Sequence, residues 1–520
     1  MNIRRIRCGL IFYRVCLILL GFTAGAVRGQ EVVTKDFEGV LDGPGQLTEI
    51  AGRGRAWRVT NDSVQKSAIR SLPLPIDAVR GHEILVNADI LAEQVSAKPL
   101  LWNGIKLMAH IEYPGGEDWP QADIPVGTYD WRCTFIRFQI PEKATAVTLI
   151  LGLEKVTGTV TFSGLTVARV STFVPAPPAP KDQAIFKGHD LPRLRGAMVA
   201  NTITEADLDH FTEKWNGNVI RWQLVRFYAK ADEVGFAGYD QWLDELLVKT
   251  DRFIAWAAKR RIQVVLDLHS PPGGKFLEGG YVGASGGLFT DPQAQAHFVE
   301  VWRKLAKRYQ GNTTIWGFDL VNEPVDDGTA PGCMNWQALA LAAGRAVREV
   351  DPSRTLIIEP PKWGGAGGFT YFNPVPLERV VYSFHLYEPI RFTHQKVFRA
   401  DETAVAYPGV IDGKEWNRAA LVAAMQPAVD FAARYRVHLY VGEFSAIRWA
   451  LGAEKYLADV TAIFEEHGWD WSYHAYREWP GWSLEYGTDQ ADNQLAKQPT
   501  ARFEVLESWW KQNVKTAVGR

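Results

Sequence analysis

From residue 31 to about 174, apolar and polar positions alternate in short runs broken by Gly, Pro and Asp, and no sustained helical period appears. The runs 83–90, 132–138, 146–153 and 158–162 are the clearest. A period of two sends successive side chains to opposite faces, so such runs predict strands with one buried and one solvated face. Evenly spaced strands without helices predict an all-β sandwich, jelly-roll-like, over 30–174. Pro175-Ala176-Pro177-Pro178-Ala179-Pro180 then predicts an extended, semi-rigid linker across 175–189. Beyond it the pattern changes. Apolar runs at 194–200, 219–224, 263–269, 315–322, 355–359, 380–387, 438–443 and 469–476 read as eight strands. Amphipathic stretches at 239–259, 292–309, 334–350, 415–435 and 454–466 lie between several of them, and 501–514 follows the last. Strand and helix alternating in this way predict a (β/α)8 barrel over 190–516.

The 520 residues suffice for a barrel and an accessory domain, and 47% hydrophobic residues allow a large core. Lys and Arg are scattered and the net charge is -2, which argues against a nucleic-acid partner, because backbone binding needs a concentrated basic face. Residues 1–29 have the order of a secretory signal: Arg4, Arg5 and Arg7, an apolar stretch centred on Leu17 to Phe22, then Ala24-Gly25-Ala26. Arg14 interrupts the apolar run, so export to the periplasm or medium is expected, without stable membrane insertion once the signal is removed. Cys133 and Cys333 then remain, in different domains, and two buried, unpaired thiols are expected. The 20 Trp and 17 Tyr suit either a large core or the stacking of rings on sugar faces.

Candidate chemistry gathers where the barrel strands stop being apolar. The run Gly317-Phe318-Asp319-Leu320-Val321 ends in Asn322-Glu323-Pro324, and the run from His438 to Gly442 ends in Glu443. Barrels of this type project reactive groups from the C-terminal ends of their strands. In order, those ends supply Arg221, His269, Asn322 with Glu323, His385 with Tyr387, and Glu443. Two glutamates on separate strands are what glycoside hydrolysis requires, one as proton donor and one as nucleophile. The glycine-rich segment from Ser270 to Tyr281 has no Lys-Ser/Thr pair in the register of a phosphate-binding loop and reads as a wall of the cleft. Trp363-Gly364-Gly365 offers a further aromatic surface.

As a set, Val219-Ile220-Arg221-Trp222, Leu266-Asp267-Leu268-His269, Leu320-Val321-Asn322-Glu323-Pro324, Ser383-Phe384-His385-Leu386-Tyr387 and Val441-Gly442-Glu443-Phe444 resemble glycoside hydrolase family 5, the cellulase-type retaining glycosidases. The segment Tyr387-Glu388-Pro389 with Phe392-Thr393-His394-Gln395 is similar to one in some bacterial endoglucanases. Residues 158–167 resemble the last strands of carbohydrate-binding jelly rolls. The family resemblance implies Glu323 as acid/base and Glu443 as nucleophile, with Arg221 and Tyr387 orienting Glu443. It also implies Asn322, His269 and His385 as sugar-binding groups; His394, His474 and Trp479 are expected to bind substrate with them, and neither the sequence nor the mechanism demands a metal or organic cofactor. The family's eighth strand ends in a Trp under the cleaved sugar; here His474 takes that position, and Trp471, Tyr476, Trp479 and Trp482 are the aromatics at hand.

The expectation is an exported retaining glycosidase acting on a polysaccharide or oligosaccharide, first an endo-β-1,4-glucanase. Endo-β-mannanase or exo-acting β-glycosidase activity is the alternative within the family. Outside it stand a non-catalytic carbohydrate-binding protein, against which the two glutamates argue, and a metal-dependent barrel hydrolase, whose His-x-His is missing from the first strand.

Overall fold

The computed structural model describes residues 31–515 apart from 36, 38–43, 101, 171–175, 228–234, 278–279 and 327–328. The leader read at 1–29 and Pro175 of the linker lie outside the described residues. Ten strands open the chain: β1 (Glu31–Lys35), β2 (Gln46–Ile50), β3 (Gly54–Asn61), β4 (Ser67–Pro73), β5 (Glu83–Val95), β6 (Gly104–Tyr113), β7 (Gly116–Asp118), β8 (Gly127–Gln139), β9 (Ala146–Glu154) and β10 (Gly158–Val170). They form two antiparallel sheets, β2-β3-β10-β5-β8 with β1 on β10, and β4-β9-β6-β7. The alternating inward residues make one core, in which Trp57, Ile90 and Phe162 of the first sheet share a cluster with Leu107, Leu149 and Leu153 of the second. Even-numbered Ile136 and Phe138 of β8 are buried, which leaves odd-numbered Cys133 on the outer face. Cys133 is therefore exposed, contrary to the expectation of two buried thiols, whereas Cys333 is buried.

The segment after the sandwich lies along the barrel. The Ala176 and Ala179 N–H groups donate to the carbonyls of Pro374 (3.1 Å) and Tyr435 (3.3 Å), and Arg436 donates to the carbonyls of Lys181 and Gln183. The sandwich is itself fastened to the barrel: Arg137 donates to the Cys333 carbonyl at 2.8 Å, and Arg434 pairs with Glu142 at 2.8 Å. A cleft of about 720 Å³ between the two, lined by Glu142, Tyr371, Phe431 and Arg434 among others, contains none of the carboxylates described below.

The eight parallel strands close into a barrel: β11 (Arg195–Val199), β12 (Val219–Gln223), β13 (Gln263–Asp267), β16 (Ile315–Asp319), β17 (Thr355–Ile358), β18 (Val380–Leu386), β21 (Leu439–Phe444) and β22 (Asp470–Tyr476). Two hairpins, β14 (Lys275–Phe276) with β15 (Val282–Gly283) and β19 (Gly409–Ile411) with β20 (Lys414–Trp416), occupy loops. Helices Pro292–Arg308, Trp336–Val350, Arg418–Tyr435 and Ala501–Trp510 start where Asp291, Asn335, Asn417 and Thr500 accept a backbone N–H. The helix expected from 415 begins later because Glu415 is spent in β20. After β17 the usual helix is reduced to a 3-10 turn, Ala366–Tyr371. Among the described residues no helix is long and apolar enough to cross a membrane.

Strand alternation explains how an apolar barrel carries a charged mouth. Val219, Val265, Ile357, Val381 and Tyr440 fill the lower interior with Leu194 and Trp316. Two residues further along the same inward rows come Arg221, Asp267, Glu359 and Ser383, all fully buried, and then His385. A register shift at Phe384/His385 sets Glu443 opposite His385 across β18 and β21. Gly442 makes room for this: a Cβ there would sit 2.7 Å from Ser383 Oγ and 3.0 Å from His385 Nε2. Replacing Gly442 by Ala is expected to displace His385, destabilise the barrel by about 1–3 kcal/mol and lower turnover. Urea unfolding with parallel rate measurements checks this, and a wild-type kcat in a Gly442→Ala enzyme would contradict it.

Candidate active site

At the C-terminal mouth of the barrel, one guanidinium organises four carboxylates. Arg221 lies in the middle of β12 rather than at its end, because its inward row brings it under the site while the strand continues to Gln223. Its side chain is fully buried and pairs with Asp267 (3.2 Å), Asp319 (3.0 Å), Glu359 (3.0 Å) and Glu443 (2.6 Å). It also donates to Asn322 Oδ1 at 3.1 Å. Burial disfavours its charge, yet the four acids outweigh burial and hold the guanidinium firmly protonated. Burial, then Glu359 and Asp267, push the Asp319 carboxyl far above the usual range against the pull of Arg221, and its Oδ1 has no hydrogen-bond partner.

Glu443 sits in a positive field. Burial opposes its charge, but His385, His474 and Arg221 together hold its carboxyl far below the usual range. Tyr387 donates to its Oε2 at 2.9 Å, and His474 Nδ1 lies 3.4 Å from the same oxygen. Glu323 arrives from the other side on a left-handed residue, φ 47, fixed by its own N–H donating to Glu359 Oε2 at 2.9 Å. Its Oε1 is 2.9 Å from His385 Nδ1, and Tyr281 donates to its Oε2 at 3.4 Å. Glu323, His385 and Glu443 present atoms within 4.8 Å of one another. His385 Nε2 also lies 3.1 Å from Glu359, off the hydrogen-bond axis. Burial disfavours a charged ring, but Glu359 and Glu443 outweigh it and favour the protonated imidazole. A ring protonated on both nitrogens has no lone pair for a cation and can only donate to the two glutamates. At the opposite end of the barrel, His189 and His438 both direct Nε2 at Asp470 Oδ2, a hydrogen-bonded cluster at the start of β22.

The structure thus brings together Arg221, Asn322, Glu323, His385, Tyr387, Glu443 and His474. His269 stands beside them: its Nδ1 bonds Asp267 Oδ2 at 2.7 Å and its ring packs 5.0 Å from Tyr281. His394 lies behind Tyr387, with ring centroids 4.9 Å apart, and burial pushes its imidazole down to about 4. Trp479 is partly exposed and meets Trp449 and Trp482 edge-on. Trp482, though buried, touches His474, His394 and Tyr387. Trp471 and Tyr476, held open as platforms, belong to the outer wall, where Trp471 bonds Glu465 and Tyr476 packs on Trp215. Sequence reading missed Asp267, Asp319, Glu359 and Glu478, and placed Tyr281 only as the end of a loop walling the cleft. Asp267, Asp319 and Glu359 were legible as acids ending apolar strands; Tyr281 and Glu478 enter from loops and had no such signal.

Arg221→Met is expected to cost about 3–5 kcal/mol, because it leaves buried carboxylates without their counterion. Those acids would bind protons more tightly folded than unfolded, so their stabilising contribution is present at low pH and lost as pH rises through the folded pKa values. The deficit in urea titrations should therefore be larger at pH 8 than at pH 5; equal deficits would contradict the network.

Residues 181–479 match the model of the cellulase family, glycosyl hydrolase family 5. Endoglucanase C of Acetivibrio thermocellus is 30% identical over 309 residues, covering 52% of this chain and 82% of that one. Cellodextrinase A of Ruminococcus flavefaciens is 26% identical over 224 residues, covering 42% and 64%. Among solved structures, a glycoside hydrolase superposes with TM-score 0.49 at 22% identity, covering 62% of this chain and all of that one. With the family model spanning more than half of its length, the chain belongs to glycosyl hydrolase family 5 and is a glycoside hydrolase.

Proposed function

We propose that this enzyme is an exported endo-β-1,4-glucanase that cleaves by double displacement. The observation that carries the mechanism is the spacing of the two glutamates. Their carboxylate oxygens come within 4.8 Å. A retaining pair needs about 5–5.5 Å between carboxyl groups, whereas an inverting pair leaves about 6.5–9.5 Å for a water. Glu443, held ionised by His385, His474 and Arg221, attacks the anomeric carbon. The proton between His385 Nδ1 and Glu323 Oε1 passes through Glu323 to the departing glycosidic oxygen. Glu323 then takes a proton from a water whose oxygen bonds the anomeric carbon, which breaks the bond to Glu443, frees the sugar and restores the proton shared with His385. Asn322 Oδ1 is committed to Arg221, so its NH2 group is the one available to the sugar 2-hydroxyl.

The preference for glucan is supported by the names of the relatives, Endoglucanase C and Cellodextrinase A. Partly exposed Trp363 and Trp479, on loops after β17 and β22, offer ring faces for neighbouring sugars. Export is supported by the charged, apolar and small-residue order of 1–29. A sugar-binding role for the sandwich is supported only by its two-sheet form and the likeness of 158–167 to carbohydrate-binding jelly rolls.

Wild-type enzyme should release reducing sugar from soluble β-1,4-glucan with retention of anomeric configuration by NMR. Glu443→Gln should abolish turnover, and Glu323→Gln should lower it roughly 10²–10⁴-fold, least for substrates with good leaving groups. Inversion at the anomeric carbon, or full activity of Glu443→Gln, would refute the mechanism.

A further inference from the structure

Behind the nucleophile, this chain carries a second hydrogen-bonded relay that the family's usual eighth-strand Trp cannot form. His474 occupies the inward row of β22 above Asp470 and Ser472. Its Nδ1 lies 2.5 Å from the Tyr387 hydroxyl oxygen, and its Nε2 lies 3.1 Å from Glu478 Oε1. Glu478 is held in turn: Gln223 donates to its Oε2 at 2.7 Å, and the same amide donates to the Val199 carbonyl at 3.1 Å. Two neighbouring strands, β11 and β12, therefore fix the carboxylate that faces His474.

Counting protons settles the direction of the relay. Tyr387 has one hydroxyl proton, and Glu443, as a carboxylate, can only accept it. With that proton on the Glu443 side, the short contact to His474 requires Nδ1 to be the donor. The Nε2 contact to a carboxylate requires Nε2 to donate as well. A ring that donates from both nitrogens is an imidazolium. We propose that Glu478 is a positioning residue that keeps His474 doubly protonated, so that His474 locks the Tyr387 proton onto Glu443 and fixes the orientation of the attacking carboxylate.

The electrostatics agree. Burial works against a charged His474, but Glu478 and Glu443 more than offset it. Burial likewise works against a charged Glu478, and His474 and Gln223 reverse that. The other ionisable groups facing this ring are Tyr387 and His385, which come from β18 and its loop, and His394 beyond them. Without the carboxylate, His474 relaxes to a neutral ring whose Nδ1 lone pair competes with Glu443 for the Tyr387 proton. Glu443 then loses a nearby cation and a donor together, while Arg221 remains.

The inference rests on Glu443 being the nucleophile, and one of its tests does not depend on activity. In the wild-type chain at pH 7, ¹⁵N spectra should show both ring nitrogens of His474 protonated, the signal being assigned by its loss in His474→Gln. In Glu478→Gln one of them should lose its proton. A neutral ring in the wild type overturns the proposal, even if glycosidase activity is as described. In kinetics, Glu478→Gln should lower kcat about 10- to 100-fold, the range expected for a lost charge-assisted hydrogen bond. KM should change less than about two-fold, since substrate binding is not what the pair supports. The acid limb of kcat/KM should move to higher pH, because Glu443 becomes harder to ionise in the free enzyme. An unmoved acid limb, or a loss confined to KM, overturns the proposal. An inactive wild type fails the glucanase reading instead and leaves the NMR result to judge the relay.

Discussion

The buried guanidinium of Arg221 sets the terms on which this active site exists. Four carboxylates converge at the top of an apolar barrel, and acids that close would repel one another and resist desolvation. The guanidinium meets Asp267, Asp319, Glu359 and Glu443 from beneath, in the planar fork geometry that suits several oxygens at once. From it the rest follows in order. Glu359, anchored by Arg221, holds the Glu323 backbone N–H and faces His385. Asn322 is oriented by the same cation. The barrel supplies rigid rows of inward side chains; the arginine makes it possible for the upper members of those rows to be charged.

The two glutamates, alike in chemistry, stand in different surroundings. Glu443 has Arg221 below it, Tyr387 and His474 on one flank, and His385 on the other. Glu323 has one histidine and one tyrosine hydroxyl, and no direct guanidinium.

Most of this frame was legible in the sequence, because strand periodicity and the abrupt polar ends of apolar runs are local signals. The eight predicted strands overlap the eight observed, and Glu323 and Glu443 meet as their placement on separate strand ends implied. What was illegible depended on register. Arg221 reads as a strand end but sits mid-strand, because only the inward row, not the strand boundary, determines depth. Cys133 reads as one more buried thiol, yet its odd position on β8 turns it outward. Glu478 and Tyr281 come from loops, where no periodicity announces a partner 255 residues away, as Gln223 is for Glu478.

The proline-rich segment between the domains has a mechanical meaning beyond separation. Its backbone is hydrogen-bonded to the barrel at Ala176 and Ala179, and Arg436 clasps Lys181 and Gln183. A free leash would let the sandwich wander and would raise the local concentration of anything it carries only as an average over a sphere. A leash laid down on the catalytic domain, with Arg137 and Glu142 as further fastenings, gives the sandwich a bearing. Anything bound to its outer surface is then aimed relative to the barrel mouth, as a guide rail is aimed, and not merely kept in the neighbourhood.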